Sequence, residues 1–516
     1  MFFRGVNMKI VNQEQMKEID RKTIEEIKIP SLILMENAAN NTVLAAEEML
    51  GNLNRKKIGI FCGTGNNGGD GMAVSRILLT RKAEPYIYII GDIDKITDDA
   101  KIQFEIIKNL EIPFVNIKDK ADLIKSKNNW DLVIDAILGT GSKGELRGIY
   151  RDTVIWLNSL NKPILSIDIP TGVEPDTGKV YTDAIRATRT ITFGLPKIGN
   201  VFYPGTVFTG ALNVVDIGFP SKFLQDENIK LNLLLLEEVR NLLPSYPENI
   251  SKDNRGRTLI IGGGQGMAGA VVLAAQAALK IGAGVVYTYT GKGSHKIVAN
   301  NSIESVNFEC EEDYLTNKDV EKIKGIAVRC KSVAIGPGLS LEPQTKNAFF
   351  RILKEVKTKF VIDADGINIL KDNIEILNEI PYSILTPHLK EFARLTDINE
   401  KEILTNALSI GEEFAKKWNI ILLLKGFRSI IFLPDTQKFI LPVGNISLAT
   451  AGSGDVLTGI ICGLLAMTEN PMKSALAGSF IHGFIGDMLK AEIGDTGATS
   501  IDILKNIPLA IKKIKV

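Results

Sequence analysis

Three histidines and four cysteines in 516 residues leave little material for a soft-metal centre. Cys62, Cys310, Cys330 and Cys462 are scattered, with no C-x-x-C pair. That pattern predicts reduced thiols in a cytoplasmic protein and argues against structural zinc. An excess of one charge is also missing: Lys+Arg 61 against Asp+Glu 60 leaves a net charge of +1. Neither a nucleic acid nor an anionic membrane is therefore expected as a partner. Long hydrophobic runs are absent too. The longest, Val456–Met467, is interrupted by Thr458, Gly459 and Gly463 and is too short to cross a bilayer. The N-terminal MFFRGVNMKIVNQEQ contains Arg4 and Lys9 without an apolar core, so no signal peptide is expected.

What is present is length and alternation. A chain of 516 residues exceeds one ordinary core, so at least two domains are expected. Buried-strand runs alternate with helical periodicity almost throughout, which predicts an α/β chain with parallel sheets. Strands are predicted at 58–62, 86–90, 131–137, 163–168 and 188–194, with helices at 72–81 and 97–109. Two further helices, near 13–26 and 33–50, precede that sheet. The polar, leucine-rich segment 228–241 shows no clear sheet role and marks the join. The pattern restarts with a strand at 257–261, a helix at 271–280, and strands at 285–288, 333–335, 360–363 and 420–424. The halves do not align as repeats, giving domains 1–222 and 228–516.

Two glycine-rich segments frame the chemistry. GTGNNGGDG at 63–71 holds five glycines in nine residues straight after a strand. Its start satisfies G-x-G-x-x-G, but a hydride-transfer site also wants an acid about 20 residues later to hold a ribose. Asp92 lies further on and Glu84 precedes its strand, so that reading fits poorly. Three strand ends nevertheless carry polar groups: Asn67, Asp135 in VIDAILGTG, and Asp168 in SIDIPTG. Ligands bind beyond the carboxyl ends of parallel strands, so these residues should converge. Backbone N–H groups of 65–69 and 139–145 can cradle phosphate. Asn67, Asp135 and the Thr171 hydroxyl offer hard oxygen ligands for an alkali or alkaline-earth cation.

The second segment is ATAGSGDVLTG at 449–459. Gly452 and Gly454 flank Ser453 at a predicted helix start, where free N–H groups and the helix dipole favour negative charge. Asp455 follows in the first turn. An anion cradle beside a carboxylate base suits phosphoryl transfer to a hydroxyl. Of the histidines, His295 reads as a surface residue and His482 as a packed core residue. His388, after a proline at a strand end, reads as functional. A second G-x-G-x-x-G, at Gly264, Gly266 and Gly269, is explained by close helix–strand approach.

Residues 10–220, through GTGNNGGDG, DAILGTG and SIDIPTGV, resemble the NAD(P)H-hydrate epimerase family. From about 230 onward the chain resembles the ADP/ATP-dependent NAD(P)H-hydrate dehydratases of the ribokinase-like superfamily, through GMAGA, IGPGL, DADGIN, LTPH, LKG, IHG and GSGD. The resemblance implies a Rossmann-like three-layer domain followed by a ribokinase-like three-layer domain. It implies a bifunctional metabolite-repair enzyme: one site interconverts the R and S C6-hydrates of NADH and NADPH, and the other dehydrates the S form using ADP or ATP. For the first site it implies substrate contacts from Asn66, Asn67, Gly68, Gly69 and Asp70. It adds Gly139, Thr140, Gly141, Ser142, Lys143, Gly144 and Glu145, with Asp168 at the reacting ring. Potassium would be held by Asn67, Asp135 and Thr171. For the second site it implies substrate contacts from Ala270, Gly338, His388 and Asp455, with Asp455 as base. The adenine nucleotide would lie on Lys425, Gly426, Phe427, Arg428, Ser429, Gly452, Ser453 and Gly454, and Mg2+ is expected with its phosphates. Departures occur at Leu389–Lys390–Glu391, where the family has Pro-Gly-Glu, and at NISLA, 445–449, where it has Asn-Pro-Gly-Met-Ala. A homo-oligomer is expected. The alternative is a ribokinase-type vitamin or sugar kinase fused to a ligand-binding or dimerisation domain.

Overall fold

The computed structural model describes residues 8–125, 129–141 and 144–516. The chain divides into two compact units, Met1–Ile229 and Lys230–Val516.

In the first unit, alternate residues of central strands enter different cores. Ile58, Ile60 and Cys62 of the strand Lys57–Cys62 join one hydrophobic cluster, while Phe61 joins another. Side chains of successive strand residues point to opposite faces, so both faces are covered and the unit has three layers. Its sheet is parallel, in the order Phe114–Ile117, Glu84–Ile90, Lys57–Cys62, Leu132–Ala136, Ile164–Ile167, Arg189–Phe193, Ala211–Val215. The chain runs outward from Lys57–Cys62 in one direction and from Leu132–Ala136 in the other. Those two neighbours define the switch point at which α/β sheets open a crevice.

The second unit repeats the logic. From Val306–Glu309 the parallel order runs Val285–Thr290, Arg257–Gly262, Ser332–Ile335, Lys359–Ile362, Ile384–Leu385 and Ile421–Leu424. The strands Ile430–Phe432 and Lys438–Ile440 extend it antiparallel. Ile260, Ala334 and Val361 face one core with the helices Ala268–Ile281 and Ser453–Thr468. Leu259, Ile261, Val333 and Phe360, on the opposite face, are buried as well. The switch point lies between Arg257–Gly262 and Ser332–Ile335.

Two sequence expectations change. Segment 228–241 does have a sheet role, because Leu231–Leu233 pairs in parallel with Lys438–Ile440 before a helix at Leu236–Leu242. Three buried residues are too few to show a strand period. The helix expected from residue 72 begins earlier, at Asn66, and ends at Thr80. Much of the glycine-rich stretch is therefore helix, and its glycines let that helix lie against the sheet. A Cβ on Gly71 would come within 2.6 Å of Ala136 Cβ and 2.8 Å of Cys62 Sγ.

Glycines also seat the helix Ser453–Thr468, here against the helix Ala268–Ile281. A Cβ at Gly459 would fall 2.1 Å from the Ala274 carbonyl oxygen, and the nearest atom to one at Gly463 would be Ile281 Cγ2 at 2.4 Å. Overpacking of this kind costs roughly 1–3 kcal/mol. Gly459→Ala is expected to destabilise the second unit by about 2 kcal/mol, read as a lower urea midpoint in equilibrium unfolding.

Candidate active sites

The first site opens at its sheet's switch point. A cavity of about 730 Å³ is lined by the chain after Lys57–Cys62, by 137–141 after Leu132–Ala136, and by Asp168 after Ile164–Ile167. From the helix Gln13–Glu25 comes Asp20, and from beyond Arg189–Phe193 comes Lys197.

Of the residues singled out in the sequence, Asn66, Asn67, Asp70, Gly139, Thr140, Gly141 and Asp168 line this cavity. Gly68 and Gly69 do not; they are buried in packing, and a Cβ on Gly68 would meet the Gly63 carbonyl oxygen at 1.9 Å. Gly144 and Glu145 are exposed, with Glu145 3.8 Å from Arg147. Ser142 and Lys143 lie outside the described residues.

Beneath the cavity floor, Asp135 is fully buried. Its Oδ1 accepts from Thr171 Oγ1 at 2.6 Å, and its Oδ2 accepts from Ser166 Oγ at 2.8 Å and from Thr171 N at 2.9 Å. Burial raises its pKa, and the Thr171 and Ser166 bonds oppose the rise. Leu138 N donates to Thr171 Oγ1 at 3.0 Å. Asn67 is brought against the adjacent turn, since a Cβ on Gly139 would lie 3.3 Å from Asn67 Oδ1. Both amide atoms of Asn67 are buried without a hydrogen-bond partner, which is costly unless a ligand satisfies them. An orphaned amide oxygen near a carboxylate and a threonine hydroxyl is the donor chemistry of a hard cation. Among the described residues no group of three His, Cys, Asp or Glu is placed to hold a metal.

Asp168 adopts φ +65°, an unusual left-handed conformation for a non-glycine residue. Its carboxylate is ion-paired with the Lys197 ammonium and accepts from Thr192 Oγ1 at 3.0 Å. Lys197 Nζ also donates to Thr192 Oγ1 at 3.0 Å and to the Phe193 carbonyl at 3.3 Å. The Lys197 side chain is 2% exposed. Sequence reading missed Lys197, whose only signal is a lone cation in the otherwise uncharged GLPKIGN after a strand. It also missed Asp20, four residues after the buried Met16 and thus near the apolar face of its helix.

In the second unit Gly338, Asp363, His388 and Lys425 each follow the carboxyl end of a strand. A Cβ on Gly338 would lie 2.7 Å from Met267 Cβ and 3.5 Å from Ala270 Cβ, so Ala270 and Gly338 adjoin across the switch point. His388 caps the helix Leu389–Thr396, its Nδ1 accepting from Glu391 N at 3.1 Å. A backbone bridge sets His388 beside Lys425. Lys425 Nζ donates to Asp363 Oδ1 at 2.9 Å, and Asp363 also accepts from Thr386 and Thr458, each at 2.8 Å. Burial pulls Lys425 down, but the carboxylates of Asp363, Glu391 and Asp455 outweigh it and leave its pKa raised.

Gly452 caps the helix Ser453–Thr468 in a left-handed conformation, φ +83°, with Asp455 in the first turn. The ideal Cβ position of Gly454 is 3.6 Å from Lys425 Nζ and 3.8 Å from Asp363 Oδ2. The lysine, the aspartate and the cradle thus converge. Burial pushes Asp455 up to about 7, with help from Asp363 and against the pull of Lys425. His482 is buried in the helix Pro471–Ile493, its Nε2 3.0 Å from Ser453 Oγ, and burial draws its pKa down to about 4. Ser429 is within 3.4 Å of the Gly426 carbonyl, and Phe427 is half exposed. Arg428 is turned away, donating to the Pro442 carbonyl at 2.7 Å. Sequence reading named the motif containing Asp363 but gave that residue no role.

Removing one partner of a buried ion pair strands the other charge at a cost of about 3–5 kcal/mol. Lys197→Met is accordingly expected to destabilise the first unit by about 3 kcal/mol at neutral pH, measured by urea unfolding.

The family described as YjeF-related protein N-terminus matches residues 31–199, and that described as NAD(P)H-hydrate dehydratase matches 258–509. The bifunctional NAD(P)H-hydrate repair enzyme Nnr of Moorella thermoacetica is 36% identical, covering 98% of this chain and 97% of its own. That of Dictyoglomus turgidum is 33% identical over 98% of this chain and 99% of its own. Among solved structures, the chain is similar to a ribokinase-like superfamily protein from Enterococcus faecalis, at 23% identity and TM-score 0.49, covering 55% of this chain and 96% of that one. Matched along nearly its whole length and in both units, the chain belongs to the bifunctional NAD(P)H-hydrate repair enzyme family.

Proposed function

We propose that the first unit interconverts the R and S C6-hydrates of NADH and NADPH, and that the second dehydrates the S form with ADP or ATP. The kinase-with-accessory-domain alternative gives way, because relatives matched at full length carry the repair name. The observation that carries the reading is Asp455, poised near neutrality in the first turn of a glycine-capped helix beside Lys425.

The hydrate carries a hydroxyl on the carbon next to the ring nitrogen, and hydroxide leaves poorly. Asp455 takes the hydroxyl proton as that oxygen attacks the terminal phosphorus of the nucleotide. The N–H groups of Gly452 and Gly454 and the Lys425 ammonium stabilise the charge on the phosphoryl oxygens. The phosphorylated oxygen then departs with its bonding pair, expelled by the ring nitrogen lone pair, and loss of the neighbouring C5 proton restores the dihydronicotinamide. Ala270 and Gly338 form the switch-point wall of this site, and His388 flanks Lys425. Mg2+ would enter with the nucleotide phosphates.

In the first site, the cavity-lining residues from Asn66 to Asp70 and from Gly139 to Gly141 bind the hydrated dinucleotide, and Asp168 moves the proton at the reacting ring. Asn67, Asp135 and Thr171 would hold potassium, which would offset the buried Asp135 charge and fix the 138–141 turn. The four cysteines are free and buried, which suits a reducing cytoplasm.

Purified protein mixed with hydrated NADH and either ADP or ATP is expected to recover the reduced-cofactor absorbance; no recovery from either epimer with either nucleotide would refute the function. Asp455→Asn is expected to lower dehydration by at least about 100-fold while nucleotide affinity is kept. Because the base works ionised, the wild-type rate should rise with pH up to about 7 and then level, and the variant should lose that rise. Asp168→Ala is expected to abolish epimerisation and leave dehydration of the S form intact; unchanged epimerisation would remove Asp168 from the mechanism.

A further inference from the structure

The carboxylates of the first cavity are not equivalent. Asp168 is tied to Lys197. Asp70 is half-buried at the cavity wall, and loss of solvent together with Asp168, Asp20 and Asp99 raises its pKa well above the ordinary carboxylate value. Asp20 falls between. Burial raises it, Lys197 draws it down and Asp168 raises it again, leaving it at about 6.

Asp20 is also placed with care. The segment before its helix is pinned on both sides of Lys197: Val11 N donates to the Pro196 carbonyl at 3.0 Å, and Ile198 N donates to the Val11 carbonyl at 3.1 Å. Gln13 N donates to Asp176 Oδ1 at 2.5 Å, and Asn12 caps the helix with Gln15 in return. Met16, Ile19 and Thr23 are buried, and Asp20 lines the cavity that holds Asp168 and Lys197. An ionisable acid facing the site of an anionic dinucleotide opposes binding unless it handles a proton.

We infer that Asp20 is a second acid–base residue for epimerisation, working in alternation with Asp168; this rests on the epimerase reading above. Starting with Asp20 protonated, its proton passes to the C6 hydroxyl. The C6–O bond breaks, the oxygen leaves as water with the bonding pair, and the ring nitrogen lone pair forms an N1=C6 iminium. Water adds to the other face of C6, and Asp168 takes the proton that this water loses. The proton has then moved from Asp20 to Asp168, and the reverse reaction or solvent exchange returns it. The charged and titratable groups that line the cavity with Asp20 are Lys197, Asp168, Asp70, Asp99 and, one turn back on its own helix, Lys17; Lys197 and Asp168 act on it directly.

The test follows R-to-S conversion of hydrated NADH by chromatography, without added nucleotide. No conversion by the wild-type chain would overturn the epimerase reading itself. Given conversion, Asp20→Asn is expected to lower kcat by about 100-fold or more, to keep KM within about threefold, and to lose the limb of the pH profile near 6. Asp20→Glu should recover part of the rate. A variant that folds with kcat unchanged, or with kcat lowered under an unchanged pH profile, would overturn the assignment. Should Asp20→Asn not fold, wild-type protein in ¹⁸O-water decides: one labelled oxygen at C6 per inversion is expected, and inversion without label overturns the water-loss step.

Discussion

A lysine ammonium paired with a strand-end aspartate is the interaction around which each candidate site is arranged, the lysine buried in the first unit and part-exposed in the second. In the first it is Lys197 on Asp168, and in the second Lys425 on Asp363. Taking two charges out of water is expensive, and their attraction repays the cost only with good geometry and further hydrogen bonds. Both pairs have them: Thr192 and the Phe193 carbonyl in one, Thr386 and Thr458 in the other. Each pair thereby fixes a lysine ammonium at the mouth of a parallel sheet, where it partly offsets the rise in proton affinity that burial imposes on nearby carboxylates.

The same physics explains how two unlike sites can act on one carbon. The hydrated ring is unstable in a useful way, because its nitrogen lone pair expels any adequate leaving group at C6. On the water-loss route proposed above, the first unit needs only acid–base assistance to exchange water at C6, and it gathers carboxylates of unequal proton affinity in one cavity. The second must make departure irreversible, and it sets a single carboxylate near neutrality beside an anion cradle. Glycines serve both arrangements by letting helices approach their neighbours closely, the sheet at Gly71 and the helix Ala268–Ile281 at Gly459. Gly71 and Gly459 do so where any Cβ would strike a neighbour within 3 Å.

Legibility in the sequence followed chemistry that is local. The GSGD turn, with its left-handed Gly452 and its first-turn aspartate, could be read directly because cap, cradle and base lie in four consecutive residues. Asp135 and Thr171 could be paired because each ends or follows a strand in one parallel sheet. Gly68 and Gly69 look the same in sequence as ligand-contacting glycines, yet they are buried in helix packing. Arg428 sits beside Lys425 in sequence, but its guanidinium turns to a carbonyl.

The amino-acid order by itself determined the α/β class, the two-part organisation and the strand-end motifs, because period, turn chemistry and helix capping act over a few residues. Only the tertiary structure decided that Lys197 meets Asp168, that Lys425 meets Asp363 across 62 residues, and that Asp20 reaches the first cavity from a helix outside its sheet. Those pairings depend on burial and charge between distant segments, and burial is a property of the packed chain that no local window of sequence carries.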